Sequence, residues 1–154
     1  MHALGFFAYL LGCFFIAIVL TVVVALFRSV KEHDKFRSWR WTIFFTILVG
    51  AAPYGYAEVL TQLHGQEMTK AVEKSLKAAQ INGKLHYFKV LKQQHGSAQV
   101  LVVAKEKTTL NDHESAIMKV FLTQDSKGKW KPEKYEFIDS FKRNKDSVSF
   151  PPYW

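Results

Sequence analysis

The sequence predicts a membrane protein: a two-helix transmembrane hairpin followed by a small α+β domain. Residues 3–27 contain no charged side chain and no histidine, a second apolar run begins at Trp41, and strand-like runs separated by turns fill the second half. The mean hydropathy of the chain is close to zero. This average hides a division, because apolar residues are concentrated in the first 63 positions and most charged residues lie in the rest.

The first predicted span covers residues 3–27. A helix rises about 1.5 Å per residue, so roughly 20 apolar residues cross a hydrocarbon core of about 30 Å. The chain start lacks the basic residues of a signal peptide, and the run ends at Arg28 rather than at a small-residue cleavage site. We therefore expect the helix to be retained. The single cysteine, Cys13, lies within it and is expected to be a small packing residue.

The second predicted span, residues 41–62, follows a basic loop at residues 28–40. Trp39 and Trp41 stand where an aromatic belt is expected, and Pro53 is expected to kink the helix rather than end it. Short loops rich in Lys and Arg stay cytoplasmic. We therefore expect a multi-pass protein of the cell inner membrane. Its N-terminus and C-terminal domain would lie on the periplasmic side, and its loop in the cytoplasm.

Two pairs of small residues spaced four apart predict close helix packing. Such pairs let helix backbones approach each other. They either pack the two spans against each other, which we favour, or dock a larger membrane complex. The helix-packing residues are Ala8, Gly12, Ala51 and Gly55.

The predicted extracytoplasmic domain covers residues 63–140, and residues 141–154 form a tail. Apolar residues at three- and four-residue spacing from Met68 to Ala79 predict an amphipathic helix with a core-facing stripe. The dipeptide Asn82-Gly83 is expected to end this helix, with the glycine in the left-handed conformation.

Four strand-like runs follow the helix and predict an antiparallel meander, with turns at residues 94–97 and 125–128. Pro132, near the start of the last run, predicts an edge strand. The one helix must cover the apolar face of the sheet. This outline resembles the cystatin-like and nuclear-transport-factor-2-like architectures. The expected strands are residues 84–91, 98–105, 115–123 and 130–138.

No sequence pattern indicates a catalytic, cofactor or metal site. The six histidines lack metal-ligand spacing, and the chain contains no haem-attachment, phosphate-loop or nucleophile-elbow motif. His86, His95 and His113 share a site only if the fold brings them together. We expect no enzyme, no cofactor and no metal. The lysines among aromatics at residues 84–92 suit an exposed strand edge, so no nucleic-acid partner is expected.

The favoured function is a non-catalytic accessory or assembly subunit of a larger inner-membrane complex, such as a respiratory oxidase or a secretion or transfer apparatus. Its expected partners are membrane lipid and other integral membrane proteins. The alternative is a membrane-anchored sensor that binds a ligand or peptide between helix and sheet. A third hypothesis is an enzyme whose active site is assembled only in the folded structure, from residues far apart in sequence. Residues expected in a pocket or partner contact are Tyr87, Phe88, Met118, Phe121, Trp130, Tyr153 and Trp154.

Overall fold

A computed structural model describes residues 2–27, 38–107 and 113–148. Its contacts divide the chain into two units, the first reaching Gly55 and the second beginning at Tyr56. Residues 56–62, which the sequence assigns to the second span, thus share their contacts with the second unit. Most of the predicted basic loop, residues 28–37, lies outside the described part.

Two long helices begin the chain, as predicted. Helix α1 covers His2–Leu26 and helix α2 covers Ser38–Ala78. Both have the length and apolar composition that a membrane crossing needs. Pro53 lies inside α2 without ending it.

Helix α2 joins two segments that the sequence treats separately, the second apolar run and the amphipathic helix of the domain. No residue between them stops the helix. Thr61 and Thr69 donate their hydroxyl hydrogen bonds to the carbonyls of Ala57 and Gly65, four residues back in each case. These hydroxyl bonds stay within α2, which runs through Gly65 without a break.

The end of α2 differs from the predicted one. The helix ends at Ala78, and the left-handed residue is Gln80, with φ of 53°, rather than Gly83. The N–H of Ile81 reaches back to the carbonyl of Leu76 at 3.1 Å, which closes the last turn. Gly83 instead begins the first strand, where an added Cβ would collide with the backbone carbonyl of Lys105.

The four-stranded antiparallel meander is confirmed, with the strands side by side in chain order. His95 and Gly96 form the first turn with φ of 44° and 78°, as a tight hairpin turn requires. The last strand is an edge strand and carries Pro132, as predicted. The strands are β1 (Gly83–Gln94), β2 (Ser97–Lys107), β3 (His113–Gln124) and β4 (Trp130–Asp139).

The core of the second unit lies between α2 and one face of the sheet. Alternate residues of each strand point to this face, so β2 contributes every second side chain and β3 does the same. The helix contributes the stripe predicted from its three- and four-residue spacing. Side chains with no exposed surface include Met68, Val72, Val90, Val100, Val102, Met118 and Val120.

Residues 140–148 return along the outer edge of β4. The N–H groups of Asp146 and Ser147 both donate to the carbonyl of Phe137, at 2.7 and 3.1 Å. The Asp146 carboxylate accepts from the Phe137 N–H at 3.3 Å. This segment therefore occupies hydrogen-bonding groups that an edge strand otherwise leaves open.

Candidate interaction surfaces

Within the first unit, α1 and α2 meet along one stripe of α1. Its residues are spaced four apart, and Cys13, Ala17 and Thr21 are buried there. The Tyr9 hydroxyl donates to the carbonyl of Gly50 at 2.7 Å. Near the other end of α1, the Thr42 hydroxyl donates to the Thr21 oxygen at 3.2 Å. Small side chains and two interhelical hydrogen bonds thus form this contact.

The four predicted helix-packing residues lie outside this contact. Ala8, Gly12, Ala51 and Gly55 are all exposed. A Cβ added at Gly12 or Gly55 would meet no atom of the described part within 4 Å. The interhelical stripe is therefore one position further along α1 than the favoured interpretation of the sequence places it. The small-residue pairs face outward. The other interpretation, that they dock a larger membrane complex, stays a prediction.

Large apolar side chains cover the rest of this unit's helix surface. On α1 the most exposed face lies opposite the Cys13 stripe, and its members repeat every four residues. On α2 the apolar residues before Pro53 are similarly uncovered. These exposed side chains are Phe7, Leu11, Phe15 and Val19 on α1 and Ile43, Phe44, Ile47 and Leu48 on α2.

The structure separates the five domain residues predicted for a pocket. Phe88, Met118 and Trp130 lie on the helix-facing side of the sheet, within or against the core. Tyr87 is exposed, and Phe121 is half-buried outside that core, with the Lys134 ammonium 5.9 Å from its ring centroid. Three of the five thus share one environment and two do not. Tyr153 and Trp154 lie outside the described residues.

The space between α2 and the sheet is filled by side chains wherever the structure describes it. Met68 and Met118, the largest fully buried side chains of this core, have no exposed surface. Two surface depressions among the described residues lie elsewhere. One, of about 130 Å³, is at the β1–β2 turn and includes Lys92, Phe121 and Glu133. The other lies in the first unit and is lined by residues 40, 41 and 44.

Two polar atoms at the turn end of the sheet are buried without a hydrogen-bond partner in the described part: Gln93 Oε1 and Trp130 Nε1. Buried polar atoms are usually paired, often by an ordered water. His86 is exposed on β1, and His95 lies in the β1–β2 turn. Across residues 2–27, 38–107 and 113–148, no three His, Cys, Asp or Glu side chains are grouped as metal ligands.

A charged cluster that the sequence does not reveal joins the end of β2 to the segment after β4. Glu106 is almost fully buried, and its carboxylate accepts a hydrogen bond from Arg143 at 2.8 Å. The same guanidinium donates to the Gln80 carbonyl at 2.8 Å, and the Lys142 ammonium lies 3.5 Å from Glu106. One arginine therefore ties the sheet, the helix end and the returning segment together.

The electrostatics of this cluster favour the ionised carboxylate. Burial alone raises the pKa of Glu106, because it disfavours charge. The hydrogen bond and charge of Arg143, with Lys142 beside it, outweigh burial and hold the pKa below its ordinary value of about 4.5. The cluster thus stabilises the fold when Glu106 is charged.

Comparison of the chain with protein-family models, with curated proteins and with solved structures finds no match. Function is therefore inferred from the surfaces described above.

Proposed function

We propose that this chain is a non-catalytic accessory or assembly subunit of a larger inner-membrane complex, with its α+β domain presented outside the cytoplasm. The observation that carries the proposal is the uncovered apolar surface of the first unit. Phe7, Leu11, Phe15 and Val19 form a continuous stripe on α1, each at least 60% exposed.

Water is a poor surrounding for such a surface. Burying one large apolar side chain contributes roughly 1.5–3 kcal/mol relative to leaving it exposed. Contiguous apolar patches beyond a few hundred Å² are rare on soluble monomers and mark membrane or protein contacts. Lipid tails, the helices of other membrane proteins, or both would cover this stripe.

The proposed orientation follows from the charges between the two helices. Residues 28–40 carry five Lys or Arg side chains. Short basic loops stay on the cytoplasmic side, and longer domains cross largely regardless of charge. The second unit would then face the periplasm.

The outward small-residue pairs supply the proposed partner contact. Gly12 and Gly55 have open space where a Cβ would lie, so another helix can approach the backbone closely at either position. Residues 56–78 and the sheet form a domain with a filled core, which suits the presentation of an interaction surface. The ligand-binding alternative has less support, since Met68 and Met118 occupy the space it needs.

The proposal is tested by purifying the tagged full-length chain from native membranes in a mild detergent and identifying co-purifying proteins by mass spectrometry. We expect a stoichiometric set of integral membrane proteins. Gly12→Leu and Gly55→Leu should each reduce partner recovery at least threefold. Val22→Leu, at a position that is also exposed, is the matched control and should leave recovery unchanged. Recovery of the chain alone, or only with copies of itself, would overturn the proposal.

A further inference from the structure

Within the second unit, strand β1 runs antiparallel to α2. The Phe88 ring lies 3.5 Å from the position of a Cβ built on Gly65, and the Val90 N–H donates to the Thr61 hydroxyl at 2.8 Å. Two strand residues advance about 6.6 Å, and the four helix residues from Gly65 to Thr61 advance about 6 Å. Passing along β1 from Phe88 to Val90 therefore passes back along the helix from Gly65 to Thr61, so β1 runs toward the N-terminal end of the domain.

The β1–β2 turn reaches that end. A bulge follows Val90, so the chain from Val90 to Gln94 pairs with only Val100 to Ser97 and advances about 10 Å. The helix from Thr61 to Tyr56 covers about 7.5 Å, so the turn reaches the level of Tyr56, the first residue of the unit. The helix residues before Tyr56 belong to the apolar segment of α2.

The β3–β4 turn lies beside the β1–β2 turn, because the Gln124 N–H donates to the Gly96 carbonyl at 2.7 Å. The Asp125 carboxylate holds this turn by accepting from the N–H groups of Lys127 and Lys129, at 2.9 and 3.1 Å. We call residues 94–97 and 125–129 the hairpin tips. Their hydrogen bonds fix the backbone and leave the lysine side chains outside.

The surroundings of the hairpin tips carry excess positive charge. Lys127 and Lys129 are exposed, and neither forms an ion pair with any residue that the structure describes. Lys92 and Lys131 flank the tips, and Lys131 pairs with Asp125 at 3.1 Å. Four lysines against the carboxylates of Asp125 and Glu133 leave a net charge of about +2. Basic side chains near an anionic membrane surface are attracted to it.

We propose that the hairpin tips contact the anionic headgroups of the membrane that the apolar helices cross. This inference rests on the proposed membrane anchoring and adds a second contact, made by the domain. The domain would then be held in one orientation by its helix and by the lysines of the tips. The surface of the membrane is the favoured partner because the tips lie at the end of the second unit where its helix segment begins, at Tyr56, and the sequence before Tyr56 is apolar.

The test places a fluorescent label at a hairpin tip of the full-length chain in lipid vesicles. Ser126→Cys, in a Cys13→Ala background, puts a nitrobenzoxadiazole label on the β3–β4 turn. Asn82→Cys puts the control label at the opposite end of the sheet, on a residue that is also exposed. Lipids with a nitroxide on the headgroup report proximity by quenching. The vesicles contain phosphatidylcholine with or without one-third phosphatidylglycerol.

We expect at least twofold stronger quenching at position 126 than at position 82 in the anionic vesicles. Removing phosphatidylglycerol or raising salt should weaken it, since exposed charges are screened. The double variant Lys127→Gln/Lys129→Gln should at least halve the quenching at position 126. Lys70→Gln/Lys74→Gln, on exposed helix positions, is the matched control and should leave the quenching unchanged.

Equal quenching at the two positions, or quenching at position 126 that ignores lipid charge and these lysines, would overturn the headgroup contact. A contact made by another protein copy would give that second result. Flotation of the same vesicles after an alkaline wash tests the anchor separately. If the chain floats with the vesicles but the label at the tips is not quenched, the anchoring proposal stands and the headgroup contact is contradicted. If the wash removes the chain, both proposals are contradicted.

Discussion

The second unit buries most of its large apolar side chains within its own chain, whereas the first leaves most of its own exposed. In the second, Met68, Val102 and Met118 meet across the helix and sheet with no exposed surface. In the first, Phe7 and Phe15 stand 68% and 60% exposed. A unit that buries its own apolar side chains can be stable by itself. A unit that leaves them exposed needs lipid or another protein to bury them. Substitutions at matched sites in the two units test this difference.

The largest expected effect is the loss of a core side chain. Met118→Ala should lower the free energy of unfolding of the second unit by about 2–5 kcal/mol, because it removes a buried side chain and leaves a cavity. Phe15→Ala, on the exposed face of α1, should leave that free energy unchanged. Hydrogen exchange of the β2 and β3 amides in the detergent-solubilised full chain measures both. Equal acceleration by the two substitutions would contradict the comparison.

The second effect concerns the charged cluster. Arg143→Ala leaves the buried Glu106 carboxylate without its main partner and should cost about 1.5–3 kcal/mol, the range for hydrogen bonds to charged groups. Arg143→Lys should recover part of the loss. Lys145→Ala, which removes an exposed ion pair with Asp139, should cost less than about 1 kcal/mol. Denaturant unfolding of the solubilised protein distinguishes these values.

The same cluster makes stability depend on pH. Because the folded pKa of Glu106 is lowered, the unfolded state binds its proton more readily as pH falls. The stabilisation is therefore present above about pH 4.5 and is lost as pH falls toward the lowered pKa. Asp125 and Glu136 have pKa shifts in the same direction, so wild type must be compared with Glu106→Gln. Their difference in stability should shrink in acid, and a constant difference would contradict the account.

The third effect compares two glycines. Gly83→Ala should destabilise the second unit by about 1–3 kcal/mol, because the added Cβ meets the Lys105 carbonyl and the backbone must shift. Gly12→Ala, with open space around it, should leave the stability of both units unchanged. Hydrogen exchange of the β1 amides measures the effect of Gly83→Ala, and thermal unfolding measures the effects of both substitutions. A neutral Gly83→Ala would show that the strand approach is looser than described.

The smallest effect lies in the contact between the two helices of the first unit. Tyr9→Phe removes the hydrogen bond to Gly50, and such interhelical bonds average about 0.6 kcal/mol. That corresponds to roughly a threefold change in the opening equilibrium. The rate at which a membrane-permeant maleimide labels the buried Cys13 should rise by about that factor. Tyr56→Phe, on an exposed tyrosine, is the control and should leave the rate unchanged.

Much of the second unit is predictable from the sequence, because its hydrophobic patterns indicate which face of each strand and of the helix is buried. Alternation in β2 and β3 places Val100 and Val120 on the same face, and the turn residues set where the hairpins close. The three-residue spacing of the helix identifies its buried stripe. The left-handed residue Gln80 is missed because Gly83 is the stronger local signal, and Gly83 is instead required by the approach of β2.

The contact between α1 and α2 is less predictable because α1 is apolar on every face. Without a polar side, periodicity gives no preferred direction, and small residues occur on two faces. Ala8 and Gly12 fit the pattern for close packing as well as Cys13 and Ala17 do, yet only the second pair is buried. The pairing of Glu106 with Arg143 is likewise invisible, since the two residues are far apart in sequence and neither stands in a motif.

The proposal on which the rest depends is that a membrane surrounds the exposed apolar side chains of the first unit. The most direct measurement is extraction of membranes from cells that express the tagged full-length chain, first with high salt, then with alkaline carbonate, then with detergent. We expect the chain to stay in the membrane pellet through salt and carbonate and to be released only by detergent. Release by carbonate or salt, or recovery in the soluble fraction before any wash, would contradict it.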